Sequence, residues 1–137
     1  MGLVRDDFTL KNACDVANAR RGGIKEKAVR QVTLRALADT GAATLVINEE
    51  VRRKLGVEVK RLRRVYDAND HWEVCKVTEP VEVHWHDWSM SCEALVTSES
   101  GETLVGAIPL EDMDLLVDPV RLQLVGAHGD EVVTCCK

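Results

Sequence analysis

No apolar run in this chain approaches the ~20 residues that a membrane-spanning helix needs, and Met1 to Asp6 do not form a secretory signal. A cytoplasmic protein without a membrane partner is the expectation. A basic excess is also missing. The formal net charge is -5, which argues against nucleic acid as the main partner, because phosphate binding needs a positive surface. The one basic stretch, Lys60 to Arg64, reads as a solvated strand face or loop. Cys14, Cys75, Cys92, Cys135 and Cys136 are odd in number and lack C-x-x-C spacing. That pattern is neither a zinc framework nor a secreted disulfide scaffold, and reduced thiols are the simplest account. There are only three prolines, no tandem repeat and no Pro/Gly/Ser-rich linker. The 137 residues therefore read as one domain with a core of its own, residues 1–137, ending in a tail at 128–137 that is open to disorder.

What is present is mostly strand. Phe8 to Leu10 opens the first, and the polar stretch Asn12 to Glu26 reads as a loop or hairpin connection. Ala28 to Leu37 alternates, with Arg30, Val32, Leu34 and Ala36 on one side and Val29, Gln31, Thr33 and Arg35 on the other. After Asp39-Thr40-Gly41, the run Thr44 to Ile47 has a buried-strand pattern. Asn48 is an N-cap, Glu49 and Glu50 fall in the first helical turn, and Gly56 closes a short helix whose Val51 and Leu55 face inward. Arg63 to Tyr66 and Trp72 to Val77 flank a hairpin tip at Asp67 to His71. Val81 to Trp85 and Ser89 to Val96 flank a turn at His86-Asp87. Pro109 can sit in the first turn of a second helix, with Leu110, Met113, Leu116 and Val117 as its apolar face and Asp118-Pro119 as its stop. Arg121 to Val125 is a last strand. Asp112 and Asp114 read as exposed acids on that helix.

The chemistry centres on Leu37-Ala38-Asp39-Thr40-Gly41-Ala42. The tripeptide alone fits a strand-ending turn better, since Asp and Gly are turn formers. Its context adds an apolar strand before it, the strand Leu45-Val46-Ile47 and a short helix after it, and Leu104-Val105-Gly106 opening a later helix. This ordered set, from about Thr9 to Val125, resembles the retropepsin-like aspartic peptidases, in particular their small bacterial members.

The resemblance implies a mostly β acid-protease fold: a single lobe, a closed six-stranded barrel with a flap hairpin, and one or two short helices. It implies that Asp39 is the catalytic carboxylate of an aspartic endopeptidase. Thr40, Gly41 and Ala42 complete the active-site loop, with the Thr40 hydroxyl tying two such loops together. Ala68, Asn69, Asp70, His71 and Trp72 form the flap over substrate, although Trp72 fits a tryptophan packed on an exposed hairpin equally well. Leu104, Val105 and Gly106 pack beneath the aspartate loop. No metal or other cofactor is implied.

Peptide hydrolysis by this route needs two carboxylates sharing one proton, one acting as base on water while the other polarises the scissile carbonyl. The chain has one Asp-Thr-Gly and is too short for two lobes. The second aspartate must come from another chain, most simply in a homodimer joined through the active-site loops and acting on a peptide or protein. Viral members often carry an Asp–Arg pair that supports the dimer, where this chain has Ala43 and Ala107. A non-catalytic, dimeric binding or assembly module on the same fold is the alternative. His84 and His86 alternate and could join Asp87 or Cys92 as metal ligands, but a hairpin shoulder with outward polar residues explains them better. His71 and His128 have no evident partners.

Overall fold

The computed structural model describes residues 3–66, 69–97 and 101–134. Its elements run in the order β1 (Val4–Asn12), α1 (Ala13–Arg20), a single 3-10 turn (Glu26–Ala28), β2 (Gln31–Ala38), β3 (Leu45–Ile47) and α2 (Glu49–Leu55). Then come β4 (Val59–Tyr66), β5 (Trp72–Thr78), β6 (Val81–Trp85), β7 (Trp88–Cys92), β8 (Ala94–Val96), β9 (Leu104–Val105), α3 (Ala107–Asp112), β10 (Leu115–Asp118) and β11 (Gln123–Gly126). The expected mostly β chain with few helices is observed.

Nine strands form one mixed sheet in the order β4-β5-β8-β3-β9-β2-β1-β6-β7, and β10 pairs with β11 separately. This departs from the closed six-stranded barrel. Closure requires the two edge strands to pair, whereas here the hairpins β4–β5 and β6–β7 extend the sheet at either end and leave β4 and β7 as its edges.

The alternation of β1 explains how the sheet makes a core. Val4, Phe8 and Leu10 are buried, and Arg5 and Asp7 face solvent. Asp6 shares the inward face and is satisfied there by Trp85 Nε1, which donates to its carboxylate at 2.9 Å. β2 answers with Ala36 and Ala38. Leu45 and Ile47 of β3, Val51 and Leu55 of α2, and Val81 and Val83 of β6 complete the aliphatic centre. Each large side chain so buried contributes about 1.5–3 kcal/mol.

α2 forms as the sequence implies. Asn48 accepts a hydrogen bond from Val51 N–H at 2.8 Å, and Gly56 ends the helix at φ 65°. Glu49 is buried and ion-paired with Arg52, Arg53 and Lys76. The hydrogen bond from Arg52 holds its carboxyl below the usual carboxylate range.

Three segments differ from expectation. Asn12 to Arg20 is not a loop. Asn12 is buried at the end of β1, its Oδ1 accepts from Asp15 N–H at 3.1 Å to cap α1, and its Nδ2 donates to the Leu55 carbonyl at 2.9 Å. The second helix stops at Asp112 rather than at Asp118. Asp114 turns left-handed at φ 56°, and the following residues alternate as β10 against β11. Asp114 is not an exposed helical acid, nor is His128 without a partner. The Asp114 carboxylate accepts from Val133 N–H at 3.0 Å and lies 2.6 Å from His128 Nδ1, fastening the described part of the C-terminal segment. Finally, the strand expected over Ser89 to Val96 breaks at Glu93 into β7 and β8, which lie far apart in the sheet.

Candidate active site

The loop 39–44 leaves β2 and returns in β3, yet these two strands are not neighbours. β9 lies between them, parallel to β2 and antiparallel to β3. Asp39 N–H donates to the Val105 carbonyl, and Leu37 N–H donates to the Thr103 carbonyl, both at 3.0 Å. The two-residue strand therefore fixes the backbone on either side of the aspartate's strand end.

Gly106 then opens α3 against the same loop. Gly106 N–H donates to the Thr44 carbonyl at 3.1 Å, Ala107 N–H to Ala42 at 2.8 Å, and Ile108 N–H to Ala43 at 3.0 Å. These N–H groups begin a helix and would otherwise lack partners. Pro109, placed in that first turn, lacks an N–H that would have been left over in any case. A Cβ on Gly106 would stand 2.4 Å from the Thr44 oxygen and 2.6 Å from the Ala42 oxygen, so the close packing requires glycine. The absence of side-chain charge at Ala43 and Ala107 does not separate these segments, because the main chain joins them.

Within the loop, Asp39 is half-buried and Thr40 and Gly41 are exposed. Gly41 N–H donates to Asp39 Oδ1 at 2.9 Å, which orients the carboxylate, and Ala42 N–H donates to the Asp39 carbonyl at 3.1 Å to close the turn. A Cβ on Gly41 would approach Asp39 Oδ1 to 3.1 Å. The structure thus brings Asp39, Thr40, Gly41 and Ala42 together with Leu104, Val105 and Gly106.

The hairpin β4–β5 stands apart from that cluster. Asn69, Asp70 and His71 lie exposed at its tip, Asp70 at φ 60°, while Ala68 lies outside the described residues. Trp72 is also exposed. It packs against Tyr66 at 3.4 Å between ring centroids, with the Arg64 guanidinium 5.5 Å from its ring centre. Its neighbours are thus those of an aromatic on an open hairpin.

A cleft of about 460 Å³ separates this hairpin from the aspartate loop. Ala43 and Thr44 line it from the loop, Val65 and Tyr66 from β4, and Cys92 and Ile108 from β7 and α3. Asp39 is not among the lining residues; the cleft begins four residues further along its loop. Burial pushes the Cys92 thiol up. Thr44, Val65 and Ile108 were not anticipated as site residues. Their signal is positional, since they follow the Asp-Thr-Gly loop, precede the hairpin tip and follow Gly106.

His84 and His86 do not make a second centre. His84 Nε2 pairs with Glu82 Oε1 at 2.5 Å, while His86 lies beyond the strand, in the turn, at φ 51°. Among the described residues no three of His, Cys, Asp and Glu stand close enough to hold a metal ion, and no helix is long and apolar enough to cross a membrane.

A mostly β chain with an Asp-Thr-Gly loop fastened to a second glycine-containing segment has the features of the aspartic peptidases. A family model described as aspartyl protease matches residues 26–109, more than half of the chain, and the chain belongs to that family. The matched span contains Asp39 to Ala42 and Leu104 to Gly106, the motif elements on which the retropepsin-like resemblance rests, and the β4–β5 hairpin between them. Among solved structures, EIAV protease complexed with the inhibitor HBY-793 matches at 23% identity. That match covers 58% of this chain and 76% of that chain, with a TM-score of 0.47. No curated protein matches the chain.

Proposed function

We propose that this protein is an aspartic endopeptidase of the retropepsin type, formed as a single domain, whose active site is assembled from two copies of Asp39 in a homodimer. The observation that carries the reading is the hold on Asp39. Its backbone is fixed by Val105, one carboxylate oxygen is oriented by Gly41 N–H, and Thr40 beside it is exposed to meet a second loop.

In this reading a two-fold axis passes beside the loop. Two like charges so close cannot both ionise, so the pair holds one proton and titrates as a unit. The ionised member removes a proton from water, and the protonated member donates to the scissile carbonyl oxygen. The tetrahedral intermediate then collapses as the departing amine takes up a proton. A site divided between two chains is a surface in each of them, which accounts for Asp39 lying outside the cleft of one chain. Residues 69–72 belong to the flap, and an extended substrate pairs with the hairpin as an added strand.

The test is Asp39→Asn, which preserves shape and removes the base. Cleavage of a peptide library by the wild-type chain is expected to fall at least ~100-fold in the variant, the lower range for loss of a general acid–base group. Undiminished cleavage would rule the mechanism out, and no cleavage by either protein would favour the binding-module alternative.

A further inference from the structure

The cleft between the hairpin and the aspartate loop carries a charge opposite to that of the protein. β4 alternates, placing Arg61, Arg63 and Val65 on one face and Leu62, Arg64 and Tyr66 on the other. The first face is the inner one, because across β5 Arg61 pairs with Val77 and Arg63 with Cys75, both buried. Val65 and Val77 continue into the cleft, where Ala43, Leu95 and Ile108 add further apolar surface. Arg63 and Arg64 also line it.

Glu93 is the one acid among the lining residues, and its charge is already used. Lys60 Nζ lies 2.8 Å from it and Arg61 Nη2 2.6 Å. The Arg64 guanidinium, also at the cleft, is engaged over the Trp72 ring, 5.5 Å from its centre. Arg63 has no ion pair among the described residues. Glu73, the one acid of β5, stands opposite Val65, the next pair along from Arg63 on the same face, and makes no ion pair with Arg63. Among the described residues this guanidinium thus has no ion-pair partner and stands above an apolar floor, in a chain whose net charge is -5.

We infer that Arg63 is a specificity-determining residue, and that the cleft takes substrate peptides bearing an acidic side chain near the scissile bond. The inference rests on the endopeptidase reading above and adds the substrate class to it. The methylenes of a glutamate or aspartate would lie on Val65 and Ile108, and its carboxylate would accept from the guanidinium. A charge-assisted pair of this kind gives planar, two-point recognition. The surplus of cations along β4 also draws acidic peptides toward the cleft and repels basic ones.

The experiment is cleavage of a randomised peptide library by the full chain, with cleaved products sequenced, for wild type, Arg63→Gln, Arg63→Glu and Asp39→Asn. Wild type is expected to enrich Asp or Glu at one fixed position relative to the cut, by about tenfold over neutral residues, as one charged hydrogen-bonded pair supplies. Arg63→Gln, which retains a polar stem without charge, is expected to lose the enrichment, and Arg63→Glu to favour Lys or Arg at the same position. Cleavage that depends on Asp39 but shows no acidic enrichment overturns the inference and leaves the endopeptidase reading intact. So does an acidic preference that survives in Arg63→Gln. Absence of any Asp39-dependent cleavage overturns the endopeptidase reading, and this inference with it.

Discussion

Gly106 and Thr44 meet so closely that a methyl group on the first would stand 2.4 Å from the carbonyl oxygen of the second. The contact is main chain against main chain, so no side chain can rotate to relieve it. Through it the start of α3 reaches the loop that carries Asp39. Gly106→Ala is expected to destabilise the fold by about 1–3 kcal/mol, the usual cost of overpacking a filled interior. It is also expected to reduce peptide cleavage in the fraction that remains folded, because the loop must shift to admit the methyl group. Denaturant midpoints and cleavage rates measured on the same preparations check both. A variant of unchanged stability would show that the loop is not packed as described.

Asn12 supports two helices from one buried side chain. Its oxygen caps α1, and its amide satisfies the Leu55 carbonyl at the end of α2. Asn12→Ala removes a cap worth about 1 kcal/mol and leaves a buried acceptor unpaired at a further cost of about 1–3 kcal/mol. A total loss of about 2–4 kcal/mol in chemical denaturation is expected from these two effects. Asn12→Asp keeps the cap but cannot donate to Leu55, and its stability is expected to lie between the two. Equal stability of Asn12→Ala and wild type would refute the dual role.

How legible this was in the sequence depended on the range of the interactions. α2 could be read because its signals are local: Asn48 caps it, Gly56 ends it, and Val51 and Leu55 lie four apart. α1 escaped notice because none of its residues is buried, so there is no apolar periodicity, although Asn12 and Asp15 supplied a capping signal. The end of α3 was misplaced because Leu115 to Val117 are apolar in either period, and the left-handed turn at Asp114 is not encoded by a glycine. Asp39 and Gly106 were legible as motif elements. The insertion of β9 between β2 and β3 was not, since it joins residues far apart in sequence through only two residue pairs on each side. Arg63 read as one more solvated cation, because its position over the cleft depends on the strand's face and on the prior commitment of Glu93.

Acid sensitivity follows from Glu49. Its carboxyl is buried beside Arg52, and its pKa lies below the ordinary value of 4.5. A depressed carboxyl contributes stability that is fully present above about pH 4.5 and is lost as pH falls through the folded-state pKa. Hydrogen bonds from Arg61 and Lys60 likewise push Glu93 down to about 2, in the same direction but from a more exposed site. Denaturant midpoints are therefore expected to fall steadily below pH 4.5. In Glu49→Gln the midpoint should start lower at neutral pH and decline less steeply in acid. Parallel curves for the two proteins would remove Glu49 from the account.

Asp39→Asn offers a further test, because a divided active site makes the inactive chain an inhibitor of the active one. At protein concentrations above the dimer dissociation constant, chains pair at random if the substitution leaves the interface alone. With wild type held constant and variant added in about ninefold excess, only about one wild-type chain in ten finds a wild-type partner, by mass action. Cleavage is then expected to fall to about one tenth of its starting rate, provided that mixed dimers are inactive. Without the variant, dilution below the dissociation constant should make the rate fall with the square of protein concentration. A monomeric enzyme would behave differently in both experiments. Added Asp39→Asn chain would leave its rate unchanged, and the rate would stay proportional to concentration at every dilution. Such a result would leave cleavage with a single Asp39 and no second carboxylate from a like chain. The shared-proton mechanism would then have to be abandoned even if Asp39 proved essential.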